Sequence, residues 1–160
     1  MKHKTFQTRI IIYDRPEALP GPEQRLLKAA WEALELAYAP YSHFNVGAAA
    51  LLESGEIASG ANQENAAYPM CLCAERVALG NAALNHPEEK ILLLAIVVRN
   101  SRKVVKQPAA PCGSCRQAIS EMEERQHQPI RLLLQGDGEE VYEIPSGRDL
   151  LPLGFNSRFL

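Results

Sequence analysis

Apolar residues recur at helical spacing along residues 22–40, PEQRLLKAAWEALELAYAP. Leu26, Ala30 and Leu34 form one i, i+4 row, and Leu27 and Trp31 form the row beside it, which predicts an amphipathic helix. Pro22 suits its first turn, Glu23 suits the positive helix end, and Pro40 is the predicted stop. Residues 45–60, NVGAAALLESGEIASG, predict a hairpin around a Ser-Gly turn. After the loop 61–73 comes a helix in AERVALGNAALNH. KILLLAIVV is a continuous apolar run that fits a strand buried on both faces. CGSCRQAISEMEERQ predicts another helix with Ile119 and Met122 inward. IRLLLQ and EEVYEI predict two strands around Gly136-Asp137-Gly138, and GRDLLP a last short helix before the tail LGFNSRFL.

The N-terminus is more ambiguous. Thr5 to Tyr13 reads equally as a strand or as a flexible arm, and RPEALPGP as a connector. The predicted order, β-α-β-β-α-β-α-β-β-α, fits a three-layer α/β/α fold with one mixed sheet of about five strands. Residues 1–21 are read as an N-terminal extension and 22–160 as the single folded domain.

Composition narrows the function classes. The chain has 160 residues, 46% hydrophobic and 22% charged, with a formal net charge of −2. No lysine or arginine run offers a surface for nucleic-acid backbone. No apolar run approaches the ~20 residues needed to cross a bilayer, and three isoleucines are too short for a secretory signal. A cytoplasmic protein is expected. In a reducing compartment, clustered cysteines are metal ligands or redox groups before they are disulfides.

The four cysteines fall in two clusters, PMCLCAER with Cys71 and Cys73, and PCGSC with Cys112 and Cys115. Each cluster opens a predicted helix, where positive partial charge favours the thiolate that binds metal. Cys112 and Cys115 are one helical turn apart, so both sulfurs can meet one metal. Glu75, two residues past Cys73, is placed beside such a metal, and an open site needs a base of that kind. Three readings stay open on these grounds: an open three-cysteine site, a closed four-cysteine zinc, and a thioredoxin-like dithiol at Cys112 and Cys115.

At this point the residues resemble the zinc-dependent cytidine deaminases of the small homotetrameric class. The resemblance rests on four ordered blocks: YSHFNVGAAALL (41–52), GANQENAAYPMCLCAER (60–76), PCGSCRQ (111–117) and LLPLGF (150–155). It implies Zn2+ held by Cys73, Cys112 and Cys115, with Glu75 as proton shuttle and Cys71 a spectator. It further implies that Phe44 stacks on the base or sugar, and that Asn62 and Glu64 hold the ribose 3′-hydroxyl. The Ala74 N–H would receive the pyrimidine carbonyl. Tyr68 and Phe155 would reach a neighbouring subunit's site, and Arg76 would donate to ligand sulfurs. The implied activity is hydrolytic deamination of free cytidine and deoxycytidine in pyrimidine salvage, by a homotetramer with shared active sites. A deaminase of the same architecture acting on a blasticidin S-like molecule is the alternative on this scaffold. Asn45 departs from the proline common at its position.

Overall fold

The computed structural model describes all 160 residues. Six strands form one sheet: β1 (Ile11–Tyr13), β2 (Phe44–Leu52), β3 (Ile57–Ala61), β4 (Ile91–Asn100), β5 (Arg131–Gln135) and β6 (Val141–Ile144), in the order β1-β6-β5-β4-β2-β3. Only β4 and β5 are parallel, joined through a crossover helix. The other neighbours are antiparallel. The strand count is six rather than about five because the ambiguous N-terminal segment does pair. It is shorter than Thr5–Tyr13: β6, its only neighbour, ends at Ile144 before Pro145, which has no N–H for a ladder. Upstream of the strand, the Thr8 hydroxyl donates to Asp149 O at 2.6 Å.

Helix α1 (Gly21–Leu34) covers one face, while α2 (Ala74–Asn85) and α3 (Gly113–Gln126) cover the other. Strand alternation divides the core between them. Ala48, Ala50, Leu94, Ile96, Leu132 and Leu134 face α2 and α3. Ala49, Leu51, Leu93, Ala95, Val97 and Leu133 face α1. Strands β2, β4 and β5 are therefore apolar on both sides, as the run KILLLAIVV predicts. The small residues of α2 let it lie close to the sheet. A Cβ at Gly60 would come within 2.4 Å of the Ala78 nitrogen.

Helix α1 stops at Leu34, well before Pro40. The chain is diverted because Tyr38 N–H donates to Asn62 O at 3.0 Å and Tyr38 O accepts from Glu64 N–H at 2.8 Å. These tertiary bonds draw residues 38–41 away from helix geometry and toward the segment after β3. GRDLLP forms a 3-10 turn at Gly147–Leu150, capped by Ser146.

Two polar clusters lock the frame. Glu143 on β6 accepts from Tyr13 Oη at 2.8 Å and from Arg131 Nε at 2.8 Å, and Arg131 Nη1 donates to Glu23 Oε1 at 3.2 Å. This network ties β1, β6, β5 and α1 together. On α3, the buried Glu123 carboxylate accepts from the N–H groups of Ile130 (2.7 Å) and Gly147 (2.9 Å) and from Ser146 Oγ (3.0 Å). A buried carboxylate needs such donors to offset its desolvation. They fasten the C-terminal segment to α3.

Candidate active site

The two cysteine clusters meet where α2 and α3 begin. Cys73 is the N-cap of α2 and Cys112 the N-cap of α3. Cys115 is buried one turn into α3. The three sulfurs lie within 4.8 Å of one another, with Cys73 to Cys112 at 4.0 Å and Cys112 to Cys115 at 3.5 Å. Zinc–sulfur bonds of ~2.3 Å in a tetrahedral array put sulfurs about 3.8 Å apart, so this donor set fits zinc in both chemistry and spacing. Cys71 stands outside the cluster: its sulfur accepts from Asn65 N–H at 3.2 Å and faces Asn65 O at 3.6 Å.

The sulfurs contact one another. The Cys73 thiol is pulled down to about 6, chiefly because Cys115 donates to its sulfur, with Cys112 and the Arg76 charge adding to the effect. Cys115 is pushed up for the complementary reason, as the donor in that pair and a buried group. Arg76 is exposed and acts on the cluster through its charge.

Glu75 is 5% exposed, in the first turn of α2. Burial raises its carboxyl above the ordinary range, and the hydrogen bond with Cys115 and the Arg76 charge only partly oppose this. Ala74, fully buried, contributes one of the first-turn amides that a helix leaves without an internal partner.

A cavity of about 360 Å³ opens onto these groups. Its walls include Phe44, Asn62, Glu64, Cys73, Glu75 and Cys112, so most of the residues expected to carry chemistry share one pocket. Asn62 is built into the framework: its Oδ1 accepts from Val46 N–H at 2.8 Å and its Nδ2 donates to Phe44 O at 2.9 Å. Glu64 Oε2 accepts from the N–H groups of Tyr41 (2.8 Å) and Ser42 (3.3 Å). Burial favours the neutral Glu64 carboxyl, but the bonds from Ser42 and Tyr41 prevail and lower its pKa. Asn45 sits as a regular ladder residue opposite Arg99.

Tyr68 and Phe155 are not in this pocket wall. Tyr68 is 71% exposed and meets Tyr41 edge-on at 6.1 Å, while Phe155 is 57% exposed and stacks on Phe159 at 5.7 Å. The wall also contains the spectator Cys71 and residues that sequence reasoning passed over: Ser42, Ile96 and Val98, and Ala109 with Ala110. Ile96 and Val98 occupy alternate positions of β4 and carried no polar signal. Ala109 and Ala110 lie in a loop whose sequence has no motif.

The comparisons with known proteins agree with this geometry. Residues 21–128 match the model of the cytidine and deoxycytidylate deaminase zinc-binding region. A cytidine deaminase of Halalkalibacterium halodurans is 39% identical over 134 residues, covering 84% of this chain and 94% of its own. One from Sporosarcina psychrophila is 40% identical over 118 residues, covering 74% and 82%. The crystal structure of cytidine deaminase from Burkholderia pseudomallei superposes with a TM-score of 0.69 at 38% identity, covering 82% of this chain and 97% of that one. That from Mycobacterium tuberculosis gives 0.63 at 32% identity, covering 82% and 95%. With sulfur spacing, fold and sequence all converging over most of its length, the chain belongs to the cytidine and deoxycytidylate deaminase family, whose zinc-binding region it contains.

Proposed function

We propose that this protein hydrolyses free cytidine and deoxycytidine to uridine and deoxyuridine, releasing ammonia. The observation that carries the reading is Glu75: a buried carboxyl in the wall of a nucleoside-sized pocket beside three clustered sulfurs. Cys73, Cys112 and Cys115 would hold the zinc, with the exposed Arg76 countering thiolate charge from outside. Bound zinc supplies a Lewis acid that makes water nucleophilic at neutral pH. Glu75 accepts a proton from the attacking water, passes it to N3 of the pyrimidine, and serves the leaving amine at C4. A raised pKa suits a carboxyl that must carry a proton through part of the cycle. The Ala74 N–H is assigned to the pyrimidine carbonyl, Phe44 to stacking, and Asn62 and Glu64 to the sugar hydroxyls.

The pocket wall supports a nucleoside rather than a nucleotide. It carries the acids Glu64 and Glu75 and no lysine or arginine. A 5′-phosphate there would be desolvated without a counter-charge. The same wall favours a ribose-bearing substrate over other cytosine-containing molecules.

Exposed aromatic side chains support association between copies of the chain, for which a homotetramer with shared sites is the proposed form. Tyr41 and Tyr68 meet edge-on at the surface, Met70 and Leu72 are exposed in the segment before α2, and Phe155 stacks on the exposed Phe159. Grouped exposure of this kind marks association surfaces. Phe155, outside its own chain's pocket wall, is assigned to a neighbour's. The four free thiols suit a reducing compartment, and a cytoplasmic place in pyrimidine salvage is proposed. No helix is long and apolar enough to cross a membrane.

The test is loss of cytidine absorbance on zinc-loaded protein, with chelator-stripped and zinc-restored controls and with cytidine monophosphate in parallel. Turnover of cytidine that disappears and returns with zinc supports the reading. Turnover of the monophosphate alone overturns the nucleoside assignment, and no turnover of either overturns the deaminase reading.

A further inference from the structure

The loop between β4 and α3, residues 101–112, carries Ala109 and Ala110 into the pocket wall and ends on Cys112. A loop of this length with no regular structure needs anchors to present a wall at a fixed place. Its start is held by Ser101 N–H donating to His43 O at 3.1 Å. Its end is held by Arg116 Nε donating to Pro111 O at 2.8 Å.

The middle rests on the turn between β5 and β6. Val105 N–H donates to Asp137 Oδ2 at 2.8 Å, and Asp137 N–H donates back to Val105 O at 2.7 Å. The flanking glycines let the two backbones touch. A Cβ at Gly136 would lie 2.3 Å from Val105 O, and one at Gly138 would lie 2.5 Å from Lys106 O. Asp137 is itself steadied by Arg99, whose Nε is 3.7 Å from Oδ1. Arg99 lies over the Trp31 ring at 5.0 Å, and Trp31 Nε1 donates to Gln135 Oε1 at 2.8 Å.

We infer that Asp137 is a positioning residue for the deaminase site: with Gly136 and Gly138 it clamps the 101–112 loop, and so fixes the Ala109–Ala110 wall and the approach to Cys112. Gly136-Asp137-Gly138 is thus a seat for the catalytic loop as well as a hairpin turn. The inference rests on the deaminase reading for its functional half, and for its structural half only on the Asp137 carboxylate and the backbone contacts around it.

The test compares Asp137→Ala, Asp137→Asn and Gly138→Ala in zinc-loaded protein by hydrogen exchange and kinetics. Asp137→Ala should speed exchange of the amides at 105–110 about tenfold, the scale of one lost hydrogen bond, with α3 and β5 unchanged. It should raise KM for cytidine by about tenfold with kcat changed much less, and hasten zinc loss to a chelator. Asp137→Asn keeps an oxygen for Val105 N–H and should restore most of each property. Gly138→Ala pushes on the loop without touching Asp137 and should reproduce the Asp137→Ala pattern, which decides the matter should that variant fail to fold. Unchanged exchange at 105–110 in both variants overturns the clamp. A freed loop with wild-type KM and zinc retention overturns its role in the site. Failure of the wild type to turn over cytidine sinks the deaminase reading instead, while exchange and zinc loss still decide the clamp.

Discussion

Cys73 and Cys112 occupy the same place in two different helices: each is the last residue before the first helical turn, and their sulfurs stand 4.0 Å apart. Neither side chain caps its own helix, so both sulfurs are free to turn toward a shared point. Both receive the positive ends of the helices they precede. Cys71, two residues earlier, is held by Asn65 instead.

This inequality predicts different fates for the two neighbouring cysteines. Cys73→Ser should weaken zinc retention by at least about a hundredfold in chelator competition, since even indirect support of a metal ligand is worth ~10–100-fold. Cys71→Ser should keep its zinc and fold. A Cys71→Ser protein that loses zinc as readily as Cys73→Ser would restore the closed four-cysteine site.

Glu75→Gln separates activity from stability. The substitution removes a buried ionisable carboxyl while keeping its shape, so thermal stability should hold or rise. Turnover should drop by about 10²–10⁴, the usual contribution of a positioned acid–base group. Near-normal turnover with zinc bound would remove Glu75 from the chemistry.

The proposed sharing of sites between subunits is tested by mixing them. Phe155→Ala and Glu75→Gln homo-oligomers should each be impaired. Co-refolded mixtures should recover part of the lost activity, because some pockets then pair an intact Glu75 with a neighbour's intact Phe155. Mixtures no more active than the average of their parents would return Phe155 to its own chain, and light scattering would report the subunit count directly.

The Tyr13–Glu143–Arg131 network should make stability depend on pH at both ends. Burial raises the Glu143 pKa, but hydrogen bonds from Arg131 and Tyr13 outweigh it and leave it lowered. A lowered pKa means stabilisation that is present above the ordinary glutamate value and lost as pH falls below about 4.3. The Tyr13 pKa is raised, first by its bond to Glu143 and then by burial. That contribution is present at neutral pH and lost as pH climbs past about 10. Melting curves of wild type and Glu143→Gln should be furthest apart between those limits, converge at acid pH, and narrow at alkaline pH, where the Arg131–Glu143 pair persists. A constant gap from pH 3 to 7 would show that the ionised carboxylate contributes nothing.

Much of this was legible in the chain. Periodicity located α1, and the Ser-Gly turn located the β2–β3 hairpin because Gly55, with φ of 89°, needs a residue without a side chain. The cysteine blocks located the three-sulfur cluster because thiolates and helix starts reinforce one another physically. What stayed hidden depends on contacts distant in sequence. The early end of α1 follows from Tyr38 bonding to residues 62 and 64. Glu123 reads as a solvated helix acid until Ile130, Ser146 and Gly147 are seen around it. Gly136-Asp137-Gly138 reads as a turn until residues 105–107 are laid against it.

Asn62 carries a further lesson. Its amide substitutes for a missing strand at the start of β2, bonding to both Phe44 and Val46. If Asn62 holds the sugar as proposed, altering it to accept a different one would also unseat the strand that holds Phe44, and selectivity and folding could not be adjusted separately there. Ala109 and Ala110 have no such double duty. Anyone reshaping this pocket would find room to change the loop wall and little freedom at Asn62.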